Sequence, residues 1–239
     1  MKEKRSANTN GFSFMLSLYL YALIIVDIIR KINTIFIHIN GNYIDIFRNI
    51  IYIIIFIFVI IDAYRNRKLV FLIKCLCYGL LVLGISYFIT PEIQSMMATS
   101  FSFFIIRIIP GIYFGRYIQD YQSFYKQFIK FTPFSMIYAL LIVAFNSYFT
   151  DSYISLSYNL TIPFLIQLFY ASKNKKILFI PALINLLIII IFGARGPLLC
   201  IIITAFTYLI LKKKNKFTFR KGLQYLGIIL IFVVIAIYF

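Results

Sequence analysis

Histidine occurs once in the 239 residues and cysteine three times, and only seven Asp and Glu stand against 24 Lys and Arg. These scarcities exclude a first set of functions. Cys75 and Cys77 lie at i and i+2 of one apolar run, on nearly opposite faces of a helix, so they cannot grip one metal ion together. With His38 as the sole histidine, neither a zinc centre nor any cofactor is expected. Also missing is the alternation of apolar and polar residues that a transmembrane β-barrel needs, since "IIYIIIFIFVII" is apolar on every side. The chain shows no internal repeat, no low-complexity tail, and no connection long enough to hold a soluble domain. Its start, "MKEKR" before an apolar run, imitates a signal peptide. Asp27 interrupts the end of that run and no small-x-small cleavage site follows, so the segment reads as a retained first anchor.

Apolar residues are what the sequence has in excess: 62% are hydrophobic and mean hydropathy is +0.93, far above what a water-soluble fold of this length tolerates. This is the composition of an integral membrane protein. Stretches of roughly 16 to 21 apolar residues each suffice, at about 1.5 Å of rise per residue, for a hydrocarbon core of about 30 Å, the shorter ones by local thinning. Hydropathy and punctuation place nine spans at 12–29, 44–62, 69–89, 98–115, 131–149, 154–171, 177–192, 197–211 and 222–239. The fold class is therefore all-α, a polytopic transmembrane bundle, with residues 1–239 as a single integral-membrane domain.

The net charge of +17 would suggest nucleic acid in a soluble protein. Here topology accounts for it, and no nucleic-acid partner is expected. Alternate connections hold Lys2, Lys4 and Arg5; Arg65, Arg67 and Lys68; Arg116, Lys126 and Lys130; Lys173, Lys175 and Lys176; and Lys212, Lys213, Lys214, Lys216, Arg220 and Lys221. The opposite side has only Arg30, Lys31 and Arg195. Positive loops stay cytoplasmic, so the N-terminus is inside, and nine spans put the C-terminus outside. Within the third cytoplasmic connection, Tyr121, Phe124, Tyr125, Phe128 and Ile129 recur at helical spacing. Residues 119–130 thus read as an amphipathic helix lying in the inner headgroup layer, with membrane lipids as its neighbours.

A charge at the centre of a membrane helix costs about 2.5–3.5 kcal/mol on the insertion scale, so each one asks for a reason. Lys74 is near enough to a helix end to snorkel. Asp27 can pair with Arg30 or Lys31, and Asp45 with Arg48, at helical spacing. Arg107 is different: it falls roughly 13 Å below the outer end of the fourth span, with no acidic residue in its own helix. Pro110 and Gly111, one turn on, permit a kink and free a carbonyl in the interior. In "FGARGPLL", Gly193 and Gly196 permit a tight reversal on the outer face and Pro197 starts the next helix. Arg195, set at that helix start, makes an anion site suited to a phosphate or carboxylate.

At these residues the sequence resembles the Wzy-type oligosaccharide repeat-unit polymerases and the related O-antigen ligases of bacterial envelopes. "RIIPGIYFGRYIQDY" is similar to the family's intramembrane arginine and proline followed by Arg-Tyr and an acidic residue. "YISLSYNLTIPFLI" is similar to its external Ser- and Tyr-rich helix start with a proline inside, and "GARGPLL" to its Gly-Ser-Arg-Gly turn with alanine for serine. The resemblance runs from about Phe103 to Leu211 and covers only the N-terminal half of such proteins. It implies a cytoplasmic-membrane enzyme for surface polysaccharide, transferring a glycan between polyprenyl-pyrophosphate carriers, with a flippase and a chain-length regulator as partners. Arg195 and Arg107 would then bind the pyrophosphate, and Ser155, Ser157 and Tyr158 would line the site. The family's large external loop with its base would begin about where this chain stops, so the resemblance implies an enzyme but leaves the catalytic base unassigned and the activity of the isolated chain open. His38 matches no family position. Two other readings stay open: a transporter or flippase of lipid-linked oligosaccharides, which usually shows internal repeats, and a non-catalytic truncated membrane fragment.

Overall fold

The computed structural model describes residues 2–89, 101–145, 153–171, 176–191 and 195–212. Every regular element among the described residues is a helix. The chain divides into two compact units, 1–131 and 132–239.

The first unit holds α1 (Lys2–Ile32), α2 (Gly41–Arg65), α3 (Leu69–Ile89), α4 (Ile109–Tyr117) and α5 (Tyr121–Lys130). A π turn, Asn33–Ile37, prolongs α1, and a second, Phe104–Ile108, runs into α4. Three of the described helices are long and apolar enough to cross a membrane: Asn10–Ile37, Gly41–Arg65 and Leu69–Ile89. They overlap the first three spans read from hydropathy, the first of them extending to Ile37 rather than ending at residue 29. α3 leaves Val70, Ile73, Leu80, Leu81 and Ile85 exposed, an apolar surface that hydrocarbon solvates and water does not.

Polar side chains fix the corners. The amide of Asn33 clamps the α1–α2 connection, its Nδ2 donating to the Ile39 carbonyl and its Oδ1 accepting from the Ile39 N–H, both at 2.8 Å. His38 ends the π turn with φ 57°. Asn40 then caps α2, accepting from the Asn42 N–H at 3.0 Å. At the far end of α2 the chain leaves through a six-to-one closure: the Lys68 N–H reaches the Ala63 carbonyl at 2.7 Å and the Arg67 N–H that of Tyr64 at 3.2 Å. Glycine usually holds the left-handed position of this motif, and here Arg67 does, with φ 57°. Arg67→Gly is therefore expected to raise stability by about 1 kcal/mol, read as a higher thermal midpoint of the detergent-solubilised protein. A lowered midpoint would show that the guanidinium contributes more than the backbone costs.

α5 is the amphipathic helix that the periodicity marks, and its apolar side packs on α1. Asp120 caps it, accepting from the Gln122 and Ser123 N–H groups at 3.0 Å each. Phe124 and Phe128 are buried while Tyr121 stays exposed. The Phe128 ring lies 4.7 Å from that of Tyr21, and Phe131 stacks on the same ring at 5.5 Å. The Ser123 hydroxyl donates to the Asn10 side-chain oxygen at 2.7 Å, which sets the register of α5 on α1.

The second unit holds α6 (Thr132–Ala144), α7 (Tyr153–Ala171), α8 (Phe179–Ile191, entered by the 3-10 turn Lys176–Leu178) and α9 (Arg195–Lys212). These fall on the fifth to eighth spans; the segment Lys176–Ile191 is shorter than a crossing requires. The ninth span, 222–239, lies outside the described residues, as does the lysine loop 172–175. Tyr138, Ala139, Ile142, Leu160, Phe164, Ala182 and Ile189 are buried between α6, α7 and α8.

Candidate anion site

Pro110 has no N–H to give and its ring collides with the carbonyl four residues back, so a regular helix cannot run through "RIIPG". The chain solves this with a wide turn: over Phe104–Ile108 the bonding is i to i−5, and the Ile109 N–H closes it on the Phe104 carbonyl. Regular helix then resumes with Pro110 in its first turn. The turn is also tied to α1, where the Tyr19 hydroxyl donates to the Arg107 carbonyl at 3.0 Å. Gly111 makes the approach possible, since a Cβ there would overlap the Tyr19 hydroxyl. A third close fit holds the turn against α3, where Gly79 leaves room for the Phe104 ring.

The Arg107 side chain, half-buried, lies between two aromatic rings. Its guanidinium carbon is 4.8 Å from the centre of the Tyr52 ring and 4.7 Å from that of Phe103. Tyr52 is itself 3% exposed and meets Tyr19 edge to face at 6.2 Å. Among the described residues Arg107 makes no ion pair. Two rings at about 0.5–1 kcal/mol each offset about 1–2 kcal/mol of an insertion penalty of about 2.5–3.5 kcal/mol. The remainder is what an anion would supply, and the planar fork still has its N–H edge to offer.

Beyond Tyr52 runs a ladder of charges across α1 and α2. Asp45 accepts from Arg48 at 3.1 Å and from Arg30 at 2.9 Å, and Arg30 lies 3.8 Å from Asp27. The local pairs Asp27–Arg30 and Asp45–Arg48 follow the helical spacing. The tighter Arg30–Asp45 bridge joins the two helices, which no local spacing shows. Arg48 keeps one donor unused: its Nε is buried with no partner among the described residues. Arg107 interacts electrostatically with Arg48 and Asp45, which couples its charge to this ladder.

The remaining sequence candidates belong to the second unit. α9 starts at Arg195, two residues before the start read from Pro197. Pro197 is tolerated there because first-turn N–H groups have no helical acceptor. Gly196 is accordingly helical, and its bare Cα receives another candidate: a Cβ would overlap the Tyr158 hydroxyl of α7. Ser157, one residue before, is fully buried, and its carbonyl accepts from the Thr161 hydroxyl at 2.9 Å. Gly193 and the side chains of Arg195 and Ser155 lie outside the described residues.

Two constellations escaped the sequence reading. In the second unit Ser135, Gln167 and Asn185, all fully buried, form a chain across three helices: Gln167 Nε2 donates to Ser135 Oγ at 3.0 Å and Asn185 Nδ2 to Gln167 Oε1 at 2.9 Å. In the first unit Asp62, 5% exposed, accepts from the Tyr113 hydroxyl at 2.6 Å and from Asn66 Nδ2 at 2.9 Å. Polar residues interrupting apolar runs were the available signal. Among the described residues no three His, Cys, Asp or Glu come together. No family model, curated protein or solved structure matches the chain.

Proposed function

We propose that this chain is a multi-pass protein of the cytoplasmic membrane that handles polyprenyl-pyrophosphate-linked oligosaccharide, and that it serves the joining of such repeat units into surface polysaccharide at the outer face. The observation that carries the reading is Arg107: a guanidinium on a distorted helix, stacked between Tyr52 and Phe103 and in no ion pair among the described residues. A permanent cation held this way is complementary to a diphosphate, whose charge rises as the glycosidic bond to it breaks. Arg107 and Arg195 are each assigned to an anionic group of the carrier. The alternation of lysine-rich and lysine-poor connections supports nine spans with the N-terminus inside and the C-terminus outside. The resemblance around "RIIPG" and "GARGPLL" supports the glycan-transfer chemistry.

The test uses the detergent-solubilised protein with two probes, a C55 polyprenyl pyrophosphate and the matching polyprenol without phosphate. Arg107→Gln is expected to weaken pyrophosphate binding by about 10-fold or more, the usual weight of a hydrogen bond to a charged group, and to leave the polyprenol unaffected. Equal binding of the pyrophosphate by the variant and the wild type would refute the proposal.

A further inference from the structure

Three helix ends meet at one corner of the first unit: the last turn of α2, the first of α3 and the last of α4. Phe71 and Tyr117 form an edge-to-face platform there, with centroids 5.4 Å apart. Lys68 holds its ammonium 3.9 Å from the centre of the Tyr117 ring. Arg116 sets its guanidinium 4.8 Å from Phe71 and 5.9 Å from the same Tyr117 ring. The two charges share one ring and so lie within about 10 Å of each other, no more than a Debye length at moderate salt. Arg65 and Arg67 flank them, exposed. None of the four is in an ion pair among the described residues.

The local acids do not neutralise this group. Asp62 is turned inward to Tyr113 and Asn66, and Asp120 is used in capping α5. Helix dipoles account for part of the charge, since Arg65 and Arg116 each stand in the last turn of a helix. Two helix C-termini and these two carboxylates set against four cations still leave a surplus of about +1. Stacking holds the guanidinium plane and leaves its N–H edge free for an oxyanion.

Apolar surface adjoins the cations directly. Ile57, Ile60 and Ile61 on α2 and Val70 and Ile73 on α3 are all exposed large side chains within three turns of Lys68. A ligand that satisfied both surfaces would have a phosphate at one end and hydrocarbon at the other. We infer that Lys68 and Arg116, on the Phe71–Tyr117 platform, bind the phosphate of an anionic phospholipid whose acyl chains lie along α2 and α3. The apolar flank selects a lipid headgroup over free phosphate, and the surplus charge selects an anionic headgroup over a zwitterionic one.

The full chain, purified in detergent, is to be titrated with phosphatidylglycerol, phosphatidylcholine and inorganic phosphate, with retained lipid read by native mass spectrometry. Phosphatidylglycerol is expected to bind in preference to the other two. Lys68→Gln and Arg116→Gln should each weaken it about five-fold, and together roughly 25-fold, at the usual weight of a basic residue near an anionic surface. The pair Lys126→Gln and Lys130→Gln removes as much charge from α5 and should change nothing. Equal losses in that control, unaltered binding in the double variant, or saturation by inorganic phosphate at the same concentration would each overturn the assignment. Should the double variant not accumulate, the Lys68→Gln single variant, which leaves the Arg116 stack intact, decides the question.

Discussion

Cells carrying Arg107→Ala are expected to lose surface polymer and to accumulate single lipid-linked repeat units, with the rate of chain extension down by about 10²–10³-fold, the usual effect of removing one preorganised charge from a developing anion. The geometry makes finer distinctions. Arg107→Lys keeps the charge but loses the planar stack on Tyr52 and Phe103 and the two-pronged grip on a phosphate, so most of the activity should go with it. Tyr52→Phe keeps the ring and should stay close to wild type, whereas Tyr52→Leu removes one wall of the sandwich. Arg195→Ala and Arg195→Lys should both behave like Arg107→Ala. Polymer of normal length from all four of these alanine and lysine variants at 107 and 195 would remove the basis for a pyrophosphate site. Membrane abundance of each variant, followed by a C-terminal tag, separates loss of function from loss of protein.

Gln167→Leu should be among the most destabilising single changes in the second unit. Gln167 is the middle of a chain in which its amide nitrogen serves Ser135 and its oxygen serves Asn185. All three side chains are fully buried. Leucine fills much the same volume, so the cost is not a cavity but the donors and acceptors left behind, about 1–3 kcal/mol for each stranded group. Asn185 would be worst placed, because its Oδ1 already has no partner among the described residues and its Nδ2 would join it. Asn185→Leu removes that burden and strands only the Gln167 oxygen, so it should cost less. The double variant should recover most of the loss, a coupling that marks a hydrogen-bonded pair rather than two independent packing sites. Unfolding in mixed detergent titrations reads all three. Additive effects would mean that the two amides contribute independently of each other.

What was legible in the sequence was what a single helix carries. Long apolar runs marked α1, α2 and α3, and the spacing of Phe124 and Phe128 marked the packed side of α5. The cost of an unpaired intramembrane cation singled out Arg107, and proline chemistry located the distortion beside it. Contacts between elements were not legible. Nothing near Arg107 in the chain points to Tyr19 or Tyr52, which reach it from α1 and α2. The helical spacing of Asp45 and Arg48 gives their pair, but Arg30, the closer partner of Asp45 at 2.9 Å, comes from across a connection. Gln167 and Asn185 each look like an isolated polar interruption until α7 and α8 are packed together. Gly111 and Gly196 could be read as backbone punctuation, whereas the structure uses both for the approach of a tyrosine hydroxyl.

The wide turn at Phe104–Ile108 holds one residue more than the same length of ordinary helix. Such a surplus can be removed without rotating what flanks it. Excising Ile105 or Ile106 would let the coil tighten to the common pitch while α4 and the residues before 104 keep their facing, so this is a point in the fold where evolution can add or drop a codon and re-aim a charged side chain without rebuilding the bundle.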